Sequence, residues 1–372
     1  MSDLYPSEER LSNNKTFTSS LPGRIILSDH HEYLYFSGTS YLGIGRQPGF
    51  QTILLEGFDK YGTIYSASRH NNVQLSIYDE AEDYLASVNQ AEGAVTVSSG
   101  LLAGQLVMSM LEGSKVIYAP GVHPALWELA AIHNDFIDSV DFRNRIAEHI
   151  VGIPDRATIC ANTIDPLKCQ LVAFDWVKEL PDNHDITLVF DDSHAFGIKS
   201  YDNPYFGSYH GRGSYSFLRS LIPAHIKLIV ISSMAKASGI PGGIIFSDNT
   251  TIQAIKSMPL FAGATPIVPA YLYAFIHTKS VYDQAYQELM HNIKLFMEYN
   301  SDILNQFRYI DDYPVFYTTR NELYSKLMDQ KILISSFAYP DPEAPPITRI
   351  VVSALHTEDD IQSLSECLKR CT

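Results

Sequence analysis

Three short stretches carry side chains whose types and spacing could do chemistry. In Ser98-Ser99-Gly100, small residues follow an apolar run and precede a segment rich in Leu, Ala and Met. A helix starting there offers free backbone N–H groups and the positive end of its dipole to a phosphate. The plainer reading is an N-cap with a glycine in a tight turn. In Asp191-Asp192-Ser193-His194, a carboxylate just past an apolar run could hold a heteroaromatic nitrogen protonated, and His194 could reach the same ligand. The same carboxylates could instead ligate a metal or open a turn. In Ser232-Ser233-Met234-Ala235-Lys236, the lysine stands among Met234, Ala235 and Ala237. Partial desolvation there would lower its pKa and make the amine nucleophilic toward an aldehyde. A surface lysine after a strand is the alternative.

Each stretch ends a short run rich in Val and Ile, and such runs recur at 94–97, 115–118, 157–161, 186–190, 227–231 and 243–246. Separated by helical stretches, they predict a mostly parallel sheet covered on both faces, which is the α/β class. Ligands of open α/β sheets bind at the carboxyl ends of strands, where all three stretches fall. Ahead of them, residues 1–22 read as a polar arm leading to a strand pair around 24–36. Over 74–88, Leu75, Tyr78, Ala81, Leu85 and Val88 recur at steps of three and four, which predicts an amphipathic helix with an acidic outer face. Past residue 258 the pattern becomes a long helix over 271–299, with a break in it as the alternative, strands near Val315 and over 349–353, and a closing helix from Thr357. The expected division is an arm and strand pair over 1–45, a large domain over 46–258 and a smaller α+β domain over 259–372.

Composition narrows the function classes. The 372 residues, 45% apolar and 19% charged, have the balance of a globular chain with room for two or so domains. A net charge of -15 without any Lys/Arg run leaves no phosphate-neutralising surface, so nucleic-acid partners are not expected. The apolar runs fall far short of the ~20 residues that cross a bilayer, and residues 1–10 are polar and acidic. A cytoplasmic protein without membrane partners is expected. Cys160, Cys169, Cys367 and Cys371 are too few for a disulfide framework and lack companions for a metal site, so no metal is expected.

Taken in chain order, a phosphate-binding helix start, a strand-end aspartate and a strand-end lysine are what pyridoxal 5'-phosphate (PLP) requires: a phosphate anchor, a partner for the pyridine nitrogen and an amine for a Schiff base. From about Gly23 to the C-terminus the sequence resembles the α-oxoamine synthase group of fold-type I PLP-dependent transferases, the group that includes 8-amino-7-oxononanoate synthase. The stretch 33–43 (YLYFSGTSYLG) is similar to the family's opening motif, and Ser68-Arg69 to a later one. The resemblance makes Lys236 the Schiff-base lysine, Asp191 the residue facing the ring nitrogen, His194 the one facing the phenolic oxygen and His123 the one stacked on the ring. It gives the phosphate to the helix start at Ser99, Gly100 and Leu101, to Ser233, and to Thr265 of the neighbouring subunit. Arg349 would clamp the substrate carboxylate, a task suited to a guanidinium fork. Thr39, on the substrate side, stands where the family usually has Asn. The family's Glu- and Ser-bearing segment after the middle strand is replaced by residues 161–169, and 70–73 lacks the usual Gly.

The resemblance implies a homodimer with shared active sites that condenses an amino acid with an acyl-CoA, with loss of CO2, to an α-amino ketone. Because the departures lie on the substrate side, an aminotransferase is the main alternative. A non-catalytic PLP-fold binding protein is a third, against which the intact Asp191, His194 and Lys236 argue.

Overall fold

Runs of four to seven residues rich in Val, Ile and Leu become strands here because both of their faces are covered. The computed structural model describes residues 16–371 apart from 17, 19, 29, 129–135, 154–155, 166, 200–208 and 340, so most of the expected N-terminal arm lies outside the described residues. Strands β1 (Ile25–Ser28) and β2 (His31–Phe36) lead to helices α1 (Pro48–Tyr61) and α2 (Ser76–Asn89). Next come β3 (Gly93–Val97), α3 (Gly100–Met110), β4 (Lys115–Tyr118), α4 (Ser139–Val151), β5 (Ala157–Asn162), a hairpin of β6 (Ile164–Asp165) and β7 (Gln170–Leu171), and β8 (Ile186–Asp191). They are followed by α5 (Tyr215–Leu221), β9 (Lys227–Ser233), β10 (Gly243–Ser247) and α6 (Asn249–Lys256). The last part holds α7 (Pro259–Gly263), α8 (Pro269–His277), α9 (Lys279–Tyr299), β11 (Arg308–Tyr309), β12 (Val315–Thr318), α10 (Leu323–Met328), β13 (Ile332–Phe337), β14 (Ile347–Val351) and α11 (Glu358–Cys371).

The first sheet has the order β3-β10-β9-β8-β5-β4. Strands β4, β5, β8 and β9 pair in parallel, and β10 runs against both of its neighbours. β5 and β8 are buried along their whole length, which is why their sequences are mostly apolar rather than alternating. Register aligns the strand ends: Asn162 lies opposite Asp191, Asp191 opposite Ile231, and Gly243 opposite both Ser233 and Val97. The three stretches that could do chemistry therefore share one edge of one sheet.

The second sheet, β1-β2-β13-β14-β12-β11, joins strands from the first 45 residues to strands from the last 114 through parallel pairing of β2 with β13. Its β13 adds to the strands expected near Val315 and 349–353. The run Ile332-Leu333-Ile334 gives only three apolar residues before two serines, too short a signal to stand out. The helix expected over 271–299 is broken where Thr278 leaves helical geometry and its hydroxyl donates to the Ala274 carbonyl at 2.6 Å. No described helix is long and apolar enough to cross a membrane.

On the acidic face of α2, Asp79, Glu80 and Asp83 are exposed, whereas Glu82 is only 3% exposed. Arg69 grips both of its oxygens at 3.0 and 3.3 Å, Lys256 donates at 2.8 Å, and the Thr96 amide and hydroxyl each donate at 2.9 Å. Burial alone would raise this carboxyl, but Arg69 and Lys256 bring it below its ordinary value of 4.5. A folded pKa below the unfolded one contributes stability above that ordinary value, and this is lost as pH falls through the folded pKa. Glu82→Ala should cost roughly 3–5 kcal/mol in urea unfolding at neutral pH, since it strands the buried Arg69. The gap between Glu82→Gln and the unaltered protein should narrow as the pH falls below 4.5; a gap independent of pH would sink this account.

Candidate active site

The carboxyl edge of the first sheet is held by bonds that leave little freedom to the groups on it. The Asp192 amide donates to the Ile231 carbonyl at 2.8 Å, and Ser193 Oγ accepts from the Ser233 amide at 2.8 Å, so the turns after β8 and β9 are tied together. The two adjacent carboxylates have different tasks. Asp192 is fully committed: Thr163 Oγ1 and Ser214 Oγ each donate at 2.6 Å and the Ser214 amide at 2.8 Å. Burial pushes its pKa up to about 6, against those bonds. Asp191 accepts from the Ser193 amide at 2.9 Å and keeps Oδ2 3.6 Å from His123 Nδ1.

Lys236 follows β9 on a turn closed by the Gly239 amide to the Lys236 carbonyl at 3.1 Å. Its pKa is lowered, first by burial and then by the charge of Arg349, with Asp191 acting in the opposite direction. His194 is held well below its usual pKa by burial, with Lys236, Arg349 and His123 adding to the effect. Its Nδ1 lies 2.9 Å from the Tyr41 hydroxyl. Arg349, 5% exposed, comes from β14 in the second sheet, with its guanidinium 5.6 Å from the Phe337 ring centroid. Residues from both sheets, Asp191, His123, His194, Lys236 and Arg349, thus form one electrostatic cluster.

Beside the cluster, Ser99 caps α3 by accepting from the Leu102 amide at 3.1 Å, so the N-cap reading of this stretch holds. The helical pattern still gives the Gly100 and Leu101 amides no carbonyl of their own. Glycine at 100 is a matter of space: a Cβ there would lie 2.7 Å from Ser233 Cβ and 2.9 Å from its Cα. At Gly243 a Cβ would run into the Ser99 carbonyl. Ser99, Gly100 and Ser233 are therefore neighbours. Leu101 is 59% exposed. Thr39 lines a cavity of ≈ 200 Å³ with Ser37, Ala235 and Ser353, next to the Lys236 turn. Thr265 is exposed on the connection between α7 and α8.

Three contacts were not foreseen from sequence: Tyr41 on His194, Tyr339 on His123 at 3.0 Å, and Asn162, whose Oδ1 accepts from the His123 amide at 3.1 Å while Nδ2 donates to the Gly121 carbonyl at 2.7 Å. Tyr41 lies inside the 33–43 motif, but nothing in its spacing points to residue 194. Gly100→Ala should cost about 1–3 kcal/mol in chemical denaturation through overpacking against Ser233. A neutral result would show that α3 and β9 are not in close contact.

A family model described as aminotransferase class I and II matches residues 169–368. The 8-amino-7-oxononanoate synthase of Azoarcus sp. is 22% identical over 363 aligned residues, covering 92% of this chain and 89% of its own length. Among solved structures, serine palmitoyltransferase of S. paucimobilis with a bound PLP-myriocin aldimine superposes with a TM-score of 0.78 at 16% identity, covering 96% of this chain and 92% of the other. The 8-amino-7-oxononanoate synthase of Francisella tularensis gives 0.67 at 19% identity, with 91% and 98% covered. At such identities the structural likenesses speak for the fold. The family match spans more than half of the chain and includes Asp191, His194, Lys236 and Arg349, so the chain belongs to the aminotransferase class I and II family and is a PLP-dependent transferase of fold type I.

Proposed function

We propose that this transferase condenses an amino acid with an acyl-CoA: a bond forms between the amino acid Cα and the acyl carbon, CoA leaves as its thiol, and the carboxylate departs as CO2, leaving an α-amino ketone. The observation that carries this reading is the buried Lys236 amine, its pKa depressed, in one cluster with Asp191, His194 and Arg349. The donor set suits PLP. Lys236 would hold the aldehyde carbon, Asp191 the ring nitrogen, and Ser233 with the Ser99, Gly100 and Leu101 helix start the phosphate, in the narrow space that glycine at 100 leaves. When bound, PLP supplies an electron sink for a carbanion at the amino acid Cα.

The side chains divide the remaining work. Arg349 binds the substrate carboxylate with its fork of donors. Lys236, once released from the cofactor, is a base for the Cα proton, and its lowered pKa keeps it proton-free more of the time. Asp191 keeps a proton on the ring nitrogen. Neutral His194, oriented by Tyr41, offers a donor to the phenolic oxygen or the thioester carbonyl. Thr39 belongs to the substrate wall. The family model favours transamination as the second reading, in which the proton taken from Cα is returned to the cofactor. We also read the protein as a cytoplasmic homodimer in which Thr265 serves the partner's phosphate. The exposed Leu55, Ile64, Val73, Leu101 and Leu260 support a covered face.

Lys236→Ala should abolish the Schiff-base absorption band of the purified protein with PLP; a band that persists would refute the lysine assignment. Free CoA thiol should appear from acyl-CoA only when an amino acid is present. Conversion of the cofactor to its pyridoxamine form by an amino acid alone would place the protein with the aminotransferases instead. Arg349→Lys keeps the charge but loses the fork, and should raise KM for the amino acid by about tenfold or more with less effect on acyl-CoA. Equal effects on both substrates would remove Arg349 from the carboxylate.

A further inference from the structure

His123 is held at three points, and the third comes from far away in the chain. Its amide donates to Asn162 Oδ1 at 3.1 Å, its Nδ1 accepts from the Ala125 amide at 3.1 Å, and its Nε2 lies 3.0 Å from the hydroxyl of Tyr339. Asn162 and Ala125 belong to the first sheet and its loops, whereas Tyr339 stands on the connection between β13 and β14 of the second. The His123 and Tyr339 rings are within 25° of parallel, with centroids 6.2 Å apart. Tyr339 is in turn met edge-on by Phe337, at 6.4 Å and 76°, and Phe337 carries the Arg349 guanidinium over its face.

These contacts determine where the imidazole proton sits. A backbone N–H only donates, so Nδ1 facing the Ala125 amide must present its lone pair and carries no proton. Neutral His123 therefore has its proton on Nε2, and that N–H donates to the Tyr339 oxygen. The 3.6 Å approach of Nδ1 to Asp191 is then not an ion pair, because a proton on Nδ1 would collide with the Ala125 amide. Burial acts in the same direction by lowering the His123 pKa. Without the Tyr339 oxygen, nothing among these contacts would fix the outer end of the ring.

We propose that Tyr339 is a positioning residue: by accepting from Nε2–H, in the tautomer that the Ala125 amide already imposes, it fixes the outer end of His123 and so sets the plane that the ring would present to the cofactor. The proposal rests on the assignment of His123 to the cofactor ring. It also makes the second sheet, through the same connection that precedes Arg349, a direct support of the cofactor site.

Tyr339→Phe keeps the ring and removes only the oxygen. Histidine-selective 15N NMR of the protein without added PLP, with His123 identified by its absence in His123→Asn, should show the Nε2–H pattern in the parent. In Tyr339→Phe the Nε2–H pattern should persist, because the Ala125 amide still faces Nδ1, while the Nε2–H proton loses its hydrogen-bonded shift and exchanges faster with water. With PLP, the dissociation constant should rise about 3- to 10-fold, the size of one lost neutral hydrogen bond, while the Lys236 Schiff-base band is retained. Tyr339→Leu, which removes the ring as well, should weaken PLP further and change the circular dichroism of the bound cofactor. An unchanged Nε2–H proton shift and exchange rate in Tyr339→Phe overturn the proposal, as does a changed Nε2–H signal with no change in PLP affinity. If the parent protein fails to bind PLP, the functional reading fails, and the NMR spectra alone still decide whether Tyr339 holds the outer end of the His123 ring.

Discussion

A lysine amine that must be free of its proton has to be buried, and a buried amine needs a carboxylate near enough that its charged form is not stranded. In this protein both conditions come from the parallel adjacency of β8 and β9. The register that sets Asp191 opposite Ile231 places a carboxylate at the end of one strand beside the turn that carries Lys236 at the end of the next. The bond from the Ser233 amide to Ser193 Oγ then fixes the two turns relative to each other. Arg349 works on the same pair from the other side, pushing the lysine in the direction that burial already takes it. His194, with Lys236, Arg349 and His123 all disfavouring its charged form, can serve only as a neutral group.

Arg349 has to be delivered from a second sheet, and the N-terminal segment makes the connection. β2 pairs with β13, so the chain's first strands belong to the sheet that holds β14. The residues after β2 then cross to the cluster: the Tyr41 carbonyl accepts from the Ala354 amide just beyond β14, while the Tyr41 hydroxyl meets His194 just beyond β8. One residue thus touches both carriers of the site, by its backbone on one side and its ring on the other. The cost of misplacing the second sheet would fall on Arg349 and on His194 together.

What was legible in the sequence was local. The six apolar runs fall on β3, β4, β5, β8, β9 and β10, because strands buried on both faces write their burial as unbroken Val and Ile. Asp191, His194 and Lys236 could be singled out because each directly follows such a run. The features that were not legible join distant positions through common residue types. Glu82 reads as part of a solvated acidic face until Arg69 and Lys256 are seen to close on it, the latter 174 residues away. Tyr339 meets His123 across 216 residues, and in a chain with 23 tyrosines its type carries no signal. The domain-scale joining of the first strands to the last is of the same kind, since nothing in 31–36 names 332–337 as its partner.

The segment that departs most from the family pattern, 161–169, is instructive for the same reason. Read as a sequence, it replaces pocket residues. In the fold, Asn162 has a defined task that a carboxylate could not perform: it accepts from the His123 amide and donates to the Gly121 carbonyl, and only an amide presents both groups on one side chain. An acidic residue there would turn an acceptor toward the Gly121 carbonyl and leave that contact repulsive. Further along, Cys169 donates its thiol to the Val315 carbonyl at 3.0 Å, which fastens the β6–β7 hairpin to the second sheet. The segment therefore supports the backbone of His123 and ties the β6–β7 hairpin to the second sheet.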